Sequence, residues 1–310
     1  DYFYTGDPSF LAGMYEKMVS AMDYTLRFTS ADGFVVGQKR DWVFVDWSEI
    51  DKEGAVCAEQ MLYVHTLRVM AELSALLNQD GTAYARKAEE MARKVDAFYW
   101  DEEKGGYIDS YASGKRNVTR HANIFAVMFD IADPARQQRI LRDVLLNDRI
   151  TQITTPYFKF FELDALCKLG HLDSTTSLMR DYWGGMIKLG ATSIWELYDP
   201  TESGVQHYAM YGSRYGKSLC HAWGGGPIYL LGRYYLGVSP TSPAYETFEV
   251  SPQLGGLERI EGVVPTPSGK VSVKADARHI RVTATCPGGT LVAGGRRVAL
   301  PAGETVEIDL

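Results

Sequence analysis

Between Asp7 and Tyr235 apolar positions recur every three to four residues, in blocks separated by polar, Gly- and Pro-containing stretches. That period marks amphipathic helices. Asp7-Pro8 opens the first block, with Asp suited to the cap and Pro to the first turn. Phe10, Leu11, Met14, Met18, Ala21 and Met22 then share a face, to about Phe28. A second helix is predicted over 53–77, apolar at Ala58, Met61, Leu62, His65, Val69 and Leu73. A third covers 82–98, with Tyr84, Ala88, Met91 and Val95 on one side, and a fourth runs from Thr119 to Ile131. Asp133-Pro134 starts a fifth that reaches about Leu146; Thr155-Pro156 starts a sixth that ends near Gly170. A seventh is expected over 173–189 and an eighth over 217–235. The stretch from Gly33 to Ile50 has no steady period and reads as a long functional loop, with or without short strands. WDEEKGGYIDSY, from Trp100 to Tyr111, reads as a turn-rich connector.

Helices joined by loops of varied length, with no internal sequence repeat, predict a mainly-α array of antiparallel neighbours rather than a tight helical-repeat scaffold. A toroid of paired helices fits, with a concave end where the long loops build a pocket. The pattern changes near Pro240. Short alternating segments follow: Thr247–Val250, Lys270–Ala275, His279–Thr285 and Thr305–Leu310. They predict a small antiparallel β-sandwich. The expected division is a helical-toroid domain over 1–238 and a β-sandwich-like domain over 239–310.

Bulk properties narrow the function. The 310-residue chain is 45% hydrophobic and 23% charged, long enough for one large core or two domains. Its net charge is −7 and it lacks a long basic run interleaved with aromatics, which argues against a nucleic-acid surface. It has no apolar run of about eighteen residues, so no membrane span is predicted. Cys57, Cys167, Cys220 and Cys286 are far apart, with no CxxC pair, and read as free buried thiols. The scattered histidines form no metal-ligand pattern, and no metal or cofactor is expected.

The chemistry concentrates where aromatic rings meet carboxylates outside the helical pattern. In ATSIWELYDP, Glu196 stands beside Trp195, with Tyr198 and Asp199 close by. A ring can support the apolar face of a pyranose while a carboxylate moves a proton or activates water. The bland alternative for Glu196 is a surface or cap glutamate. RDWVFVDW supplies Asp41, Trp42, Asp46 and Trp47. As a strand it would turn 42, 44 and 46 to one side and 41, 43, 45 and 47 to the other. At most one aspartate would then face the pocket unless the backbone bends. Asp46 either caps a helix or grips sugar hydroxyls. His221 and Trp223 are expected at the start of the eighth helix, where His221 either satisfies backbone groups or meets a sugar hydroxyl. Gly224-Gly225-Gly226 permits close backbone approach but lacks the strand and lysine of a phosphate loop. His207 is a weaker site candidate. Glu16 reads most simply as solvated charge on a helix face; Glu162, in an aromatic-rich helix, either lines the barrel interior or, more simply, is helix-face charge; Asp164 is a further acidic candidate, and Asp109 lies in a connector that reaches toward the cavity mouth.

At these residues the chain resembles the bacterial α-L-rhamnosidases of glycoside hydrolase family 78. The resemblance rests on YFYTGDPSFLAGMYEKM, RDWVFVDW, TSIWELYDP, SLCHAWGGGPIYLLGRYYLGVSP and FEVSPQLGGLERIEGVVPTPSGKVSV. It implies an (α/α)6 barrel with a C-terminal β-sandwich, and hydrolysis of terminal α-L-rhamnosides with inversion. Glu196 matches the general base of the family's Trp-Glu motif; Asp41, Trp42, Trp195 and His221 fall in segments like its sugar-binding surroundings. The resemblance further implies that the general acid belongs to an Arg-Glu-Arg segment followed by Trp-x-Gly-Asp, which precedes YFYTGD in the family and is not in this sequence. The acid and the remaining barrel helices are therefore expected before residue 1, and the upstream part of the same protein is an expected partner alongside a carbohydrate ending in a deoxy-sugar. A periplasmic or extracellular setting is favoured over a cytoplasmic one. The competing readings are an exo-glycosidase of the same fold for another sugar and a non-catalytic carbohydrate-binding homologue.

Overall fold

A computed structural model of the chain describes residues 2–38, 40 and 42–310. Its helical region packs as a toroid-like arrangement and is followed by a β-sandwich region. The fold divides into two compact units, one of Ser9–Leu169 with Leu197–Asp199, the other of the residues through Pro8, Gly170–Glu196 and Pro200–Leu310.

The first unit is helical. The described residues begin with a short turn, α1 (Tyr2–Thr5), which belongs to the second unit. Next come α2 (Ser9–Leu26), α3 (Cys57–Leu76) and α4 (Thr82–Tyr99). They are followed by α5 (Arg120–Met128), α6 (Pro134–Ile140) and α7 (Pro156–Lys168). The cap-plus-proline signals act as their chemistry dictates. The Asp133 carboxylate accepts from the N–H groups of Ala135 and Arg136 at 2.9 and 3.0 Å, and the Thr155 hydroxyl accepts from Phe158 N at 3.3 Å. Each satisfies donors that the first helical turn leaves open. A π-helical turn, Leu141–Leu145, extends α6 to the predicted end.

The buried stripe of α3 differs from the predicted one. Met61, Val64, Leu67 and Met70 are buried, whereas Leu62 is exposed. Apolar residues occupy most of this helix's circumference, so periodicity does not choose a face. Packing against α4 and α5 does. The connector after α4 contains a two-stranded hairpin, β1 (Trp100–Asp101) with β2 (Gly106–Tyr107). The described residues of 33–50 are irregular, with an isolated bridge pairing Val35 to Thr29.

The second unit contains α8 (Leu172–Lys188), the short α9 (Pro227–Leu230) and two four-stranded sheets. The predicted helix over 217–235 is shorter. Continuous helix is confined to 227–235, as α9 and a π-helical turn, preceded by a single 3-10 turn at Ala222–Gly224. The Gly224-Gly225-Gly226 run disfavours regular helix, and Pro227 fits the first turn where the helix does begin. Upstream, residues 218–221 pair with 194–196: Glu196 N donates to Ser218 O at 2.9 Å and His221 N to Ile194 O at 2.8 Å.

One sheet holds β5 (Arg259–Thr266), β6 (Gly269–Asp276), β7 (His279–Ala284) and β10 (Thr305–Asp309) in the order β10-β7-β6-β5, all antiparallel. The other runs β3 (Val238–Pro240), β4 (Phe248–Val250), β8 (Gly289–Ala293), β9 (Arg296–Leu300), with β4 and β8 parallel. Phe248, Val250, Val271, Val282, Leu291 and Ile308 close a shared core between them. Strands β3, β5, β8 and β9 carry Gly or Pro or are too short for alternation to reveal. Pro265 is tolerated because β5 lies at a sheet edge.

Candidate active site

Glu196 lies in the irregular segment after α8 and is 4% exposed. Its carboxylate is held at both oxygens. The Tyr211 hydroxyl donates a short hydrogen bond to Oε1, and Ser218 N donates to Oε2 at 3.2 Å. His221 Nδ1 stands 4.0 Å from Oε2. The Trp223 indole N–H donates to the Glu196 backbone carbonyl at 3.1 Å, and the His221 and Trp223 rings lie 4.6 Å apart. Four groups from 211–223, three side chains and one backbone N–H, therefore converge on one glutamate. Two backbone hydrogen bonds between 194–196 and 218–221 make this possible, because they hold together two segments distant in sequence.

Trp195 is buried. It is 3% exposed, with its ring centroid 5.5 Å from that of Tyr208, so it packs rather than offering an open platform. The exposed rings beside this loop are Tyr211 and Tyr215, 63% and 70% exposed. His207 is buried, with Nδ1 4.0 Å from Glu202, which also meets Lys217 at 3.5 Å. Its charged neighbour is the half-buried Glu202, which it shares with Lys217, rather than the Glu196 carboxylate.

Trp42, Asp46 and Trp47 belong to the helical unit; Asp41 lies outside the described residues. Trp42 to Trp47 do not form a strand. Their backbone bends so that Trp42, Phe44 and Trp47 meet, with centroid separations of 4.9 Å (42–44), 5.1 Å (44–47) and 5.4 Å (42–47). A strand would have put Trp42 and Trp47 on opposite faces. Trp42 remains 70% exposed, an open aromatic surface of the type that sugars stack on. Asp46 turns inward. It accepts the Thr155 hydroxyl at 2.6 Å and meets His121 Nε2 at 3.0 Å. Thr155 is itself the cap of α7, so Asp46 acts behind a helix cap.

Two acidic residues depart from their sequence reading. Glu162 is not solvated helix-face charge: it is fully buried between Arg120 and Lys159, both at 2.6 Å. Burial alone would raise its carboxyl, but Lys159 and Arg120 overcome that and hold it below the usual range. Asp109 does not reach a cavity mouth. It is buried and accepts the Thr119 hydroxyl at 2.7 Å, and burial pushes its carboxyl up against that hydrogen bond. Glu16 is exposed on α2, as read, and Asp164 is buried in α7. Cys57, Cys167 and Cys286 are buried and free, whereas Cys220 is exposed.

The sequence reading missed Tyr211 and Ser218. The signal for the first was Tyr211-Gly212, whose glycine suits a turn, between Met210 and Ser213, and for the second the backbone N–H, which leaves no trace in residue type. Hydrogen bonding to Glu196, then burial, then its charge push the Tyr211 phenol up to about 12. It therefore stays protonated, and a donor, across the ordinary pH range. Among the described residues, no group of three or more His, Cys, Asp or Glu side chains is arranged to hold a metal ion, and no helix is long and apolar enough to cross a membrane.

The chain resembles solved rhamnosidases. It aligns with a GH78 family rhamnosidase of Bacillus sp. GL1 at 28% identity and a TM-score of 0.81, over 94% of this chain and 32% of that one. A native α-L-rhamnosidase from Aspergillus terreus superposes over the whole chain and 37% of its own, at 17% identity and a TM-score of 0.80. The Streptomyces avermitilis α-L-rhamnosidase complexed with L-rhamnose covers 93% of this chain with 28% of its own, at 16% identity and a TM-score of 0.73. The last two show the fold alone. The chain spans about a third of the length of these proteins. No curated protein sequence matches it. Residues 1–235 match the bacterial alpha-L-rhamnosidase 6 hairpin glycosidase domain, and the chain belongs to that family.

Proposed function

We propose that this chain contributes to an inverting exo-glycosidase that releases terminal α-L-rhamnose, with Glu196 as general base. The observation that carries this reading is the Glu196 carboxylate, nearly buried, held at both oxygens and flanked by His221 and Trp223. A carboxylate so oriented is suited to draw a proton from water as the water oxygen attacks the anomeric carbon. The leaving oxygen takes its proton from a general acid on the opposite face, in an upstream segment of the same protein. Inversion sets about 6.5–9.5 Å between the two carboxyl groups. His221 and Trp223 contact the sugar, and a substrate-binding role for Asp41, Trp42 and Trp47 belongs to the same proposal. A substrate role for the buried Asp46, Trp195 and His207 belongs to the same proposal. A domain boundary near 238/239 and a periplasmic or extracellular setting belong to the same proposal.

Hydrolysis of p-nitrophenyl α-L-rhamnoside by the complete protein tests it, with NMR of the first-formed anomer. We expect β-L-rhamnose as the initial product, and a loss of about 10²- to 10⁴-fold with Glu196→Gln, the range for removing a general base. Turnover of a different nitrophenyl sugar would redirect the specificity. Sugar binding without turnover in the folded protein would make it a binding homologue.

A further inference from the structure

Tyr211 has a backbone conformation that its side chain disfavours. Its φ is +53° and that of Gly212 is +74°. Met210 and Ser213 exchange both backbone hydrogen bonds around them, at 3.0 and 2.9 Å. Two central residues at positive φ closed by such a pair form a type I′ turn, whose first central position favours Asn, Asp or Gly. A bulky aromatic there is a strained exception. Burial does not account for it, because Tyr211 is 63% exposed. The turn does aim the phenol at Glu196 Oε1, while Ser218 N–H holds Oε2. Strain kept at an exposed residue that grips a buried carboxylate is the pattern of a site that fixes geometry for function.

We propose that Tyr211 is a positioning residue for Glu196, its strained turn holding the carboxylate plane so that the remaining lone pairs face the nucleophilic water. The inference rests on Glu196 being the base. Ser218 N–H alone anchors one oxygen and leaves the carboxylate able to rotate about its Cγ–Cδ bond; the second anchor stops that rotation. A misaligned base slows proton removal without loosening the sugar, so the effect belongs in kcat rather than KM.

The test uses the complete protein and p-nitrophenyl α-L-rhamnoside, with Glu196→Gln, Tyr211→Phe and Tyr211→Asn compared in parallel. Tyr211→Phe keeps the ring and loses the hydroxyl. It is expected to lower kcat roughly 10- to 100-fold, the range for one hydrogen bond to a charged group, with KM unchanged. Tyr211→Asn suits the turn better and removes the phenol. It is expected to lower kcat similarly while raising the midpoint of thermal unfolding, a combination that a merely structural tyrosine does not produce. If Glu196→Gln is inactive but both Tyr211 variants keep wild-type kcat, or raise only KM, the positioning role is overturned and the base assignment stands. If Glu196→Gln retains full turnover, the base assignment fails and the role of Tyr211 fails with it.

Discussion

Asp46 and His121 meet at 3.0 Å with both side chains withdrawn from water, and the second Asp46 oxygen takes the hydroxyl that caps α7. A residue from the irregular 33–50 loop is thereby tied to α5 and α7 together. Removing it leaves two buried polar partners unsatisfied. Asp46→Ala is expected to destabilise the fold by about 1–3 kcal/mol. The check is the urea midpoint of the variant, and an unchanged midpoint would show that the loop is held by other contacts.

Glu162 makes acid stability testable. Its folded-state carboxyl lies below the ordinary value of 4.5 because Lys159 and Arg120 outweigh burial. A depressed carboxylate contributes stability that is fully present above the unfolded value and is lost as pH falls through the folded one. Unfolding free energy should therefore decline from about pH 4.5 downward. Glu162→Gln should be less stable at neutral pH and show a shallower decline over the same window. Parallel denaturation series from pH 7 to pH 3 would reveal it, and equal slopes would refute the assignment.

Trp42 separates binding from folding. Its ring is 70% exposed against Phe44 and Trp47. Trp42→Ala is expected to change stability by no more than about 0.5 kcal/mol, as for surface positions in general. If the proposed aromatic surface is used by the sugar, KM rises while kcat holds. Steady-state kinetics decides this, and an unaltered KM would remove Trp42 from the site.

Gly216 is fixed by space rather than by φ. A Cβ there would collide with the Met210 carbonyl oxygen, the acceptor that closes the Tyr211 turn. Gly216→Ala should cost about 1–3 kcal/mol, typical of overpacking, and should reduce turnover along with it. Thermal unfolding and activity measured on one preparation test the linkage: lost activity with an intact melting point would point to the turn alone.

How much of this was legible in residue order depends on the range of the force involved. Helix starts at Pro134 and Pro156 were readable because a cap and a proline act within one turn of chain. Glu196 stood out because a carboxylate beside an indole, in a segment without helical period, calls for a reason. The strands with clean alternation, such as β6 and β7, were readable for the same local cause. The buried face of α3 was not, since several faces of it are apolar and only neighbouring helices select one. Nor was the burial of Glu162, because its two cations come partly from another helix, Arg120 lying in α5 and Lys159 one turn away. The backbone hydrogen bonds between 194–196 and 218–221 were hidden behind an apparent helix. Residue types along the chain determined the elements, their caps and the carboxylate worth watching. Tertiary structure alone decided what surrounds that carboxylate, because hydrogen bonds from Tyr211 and Ser218 depend on distances in space that separation in sequence does not encode.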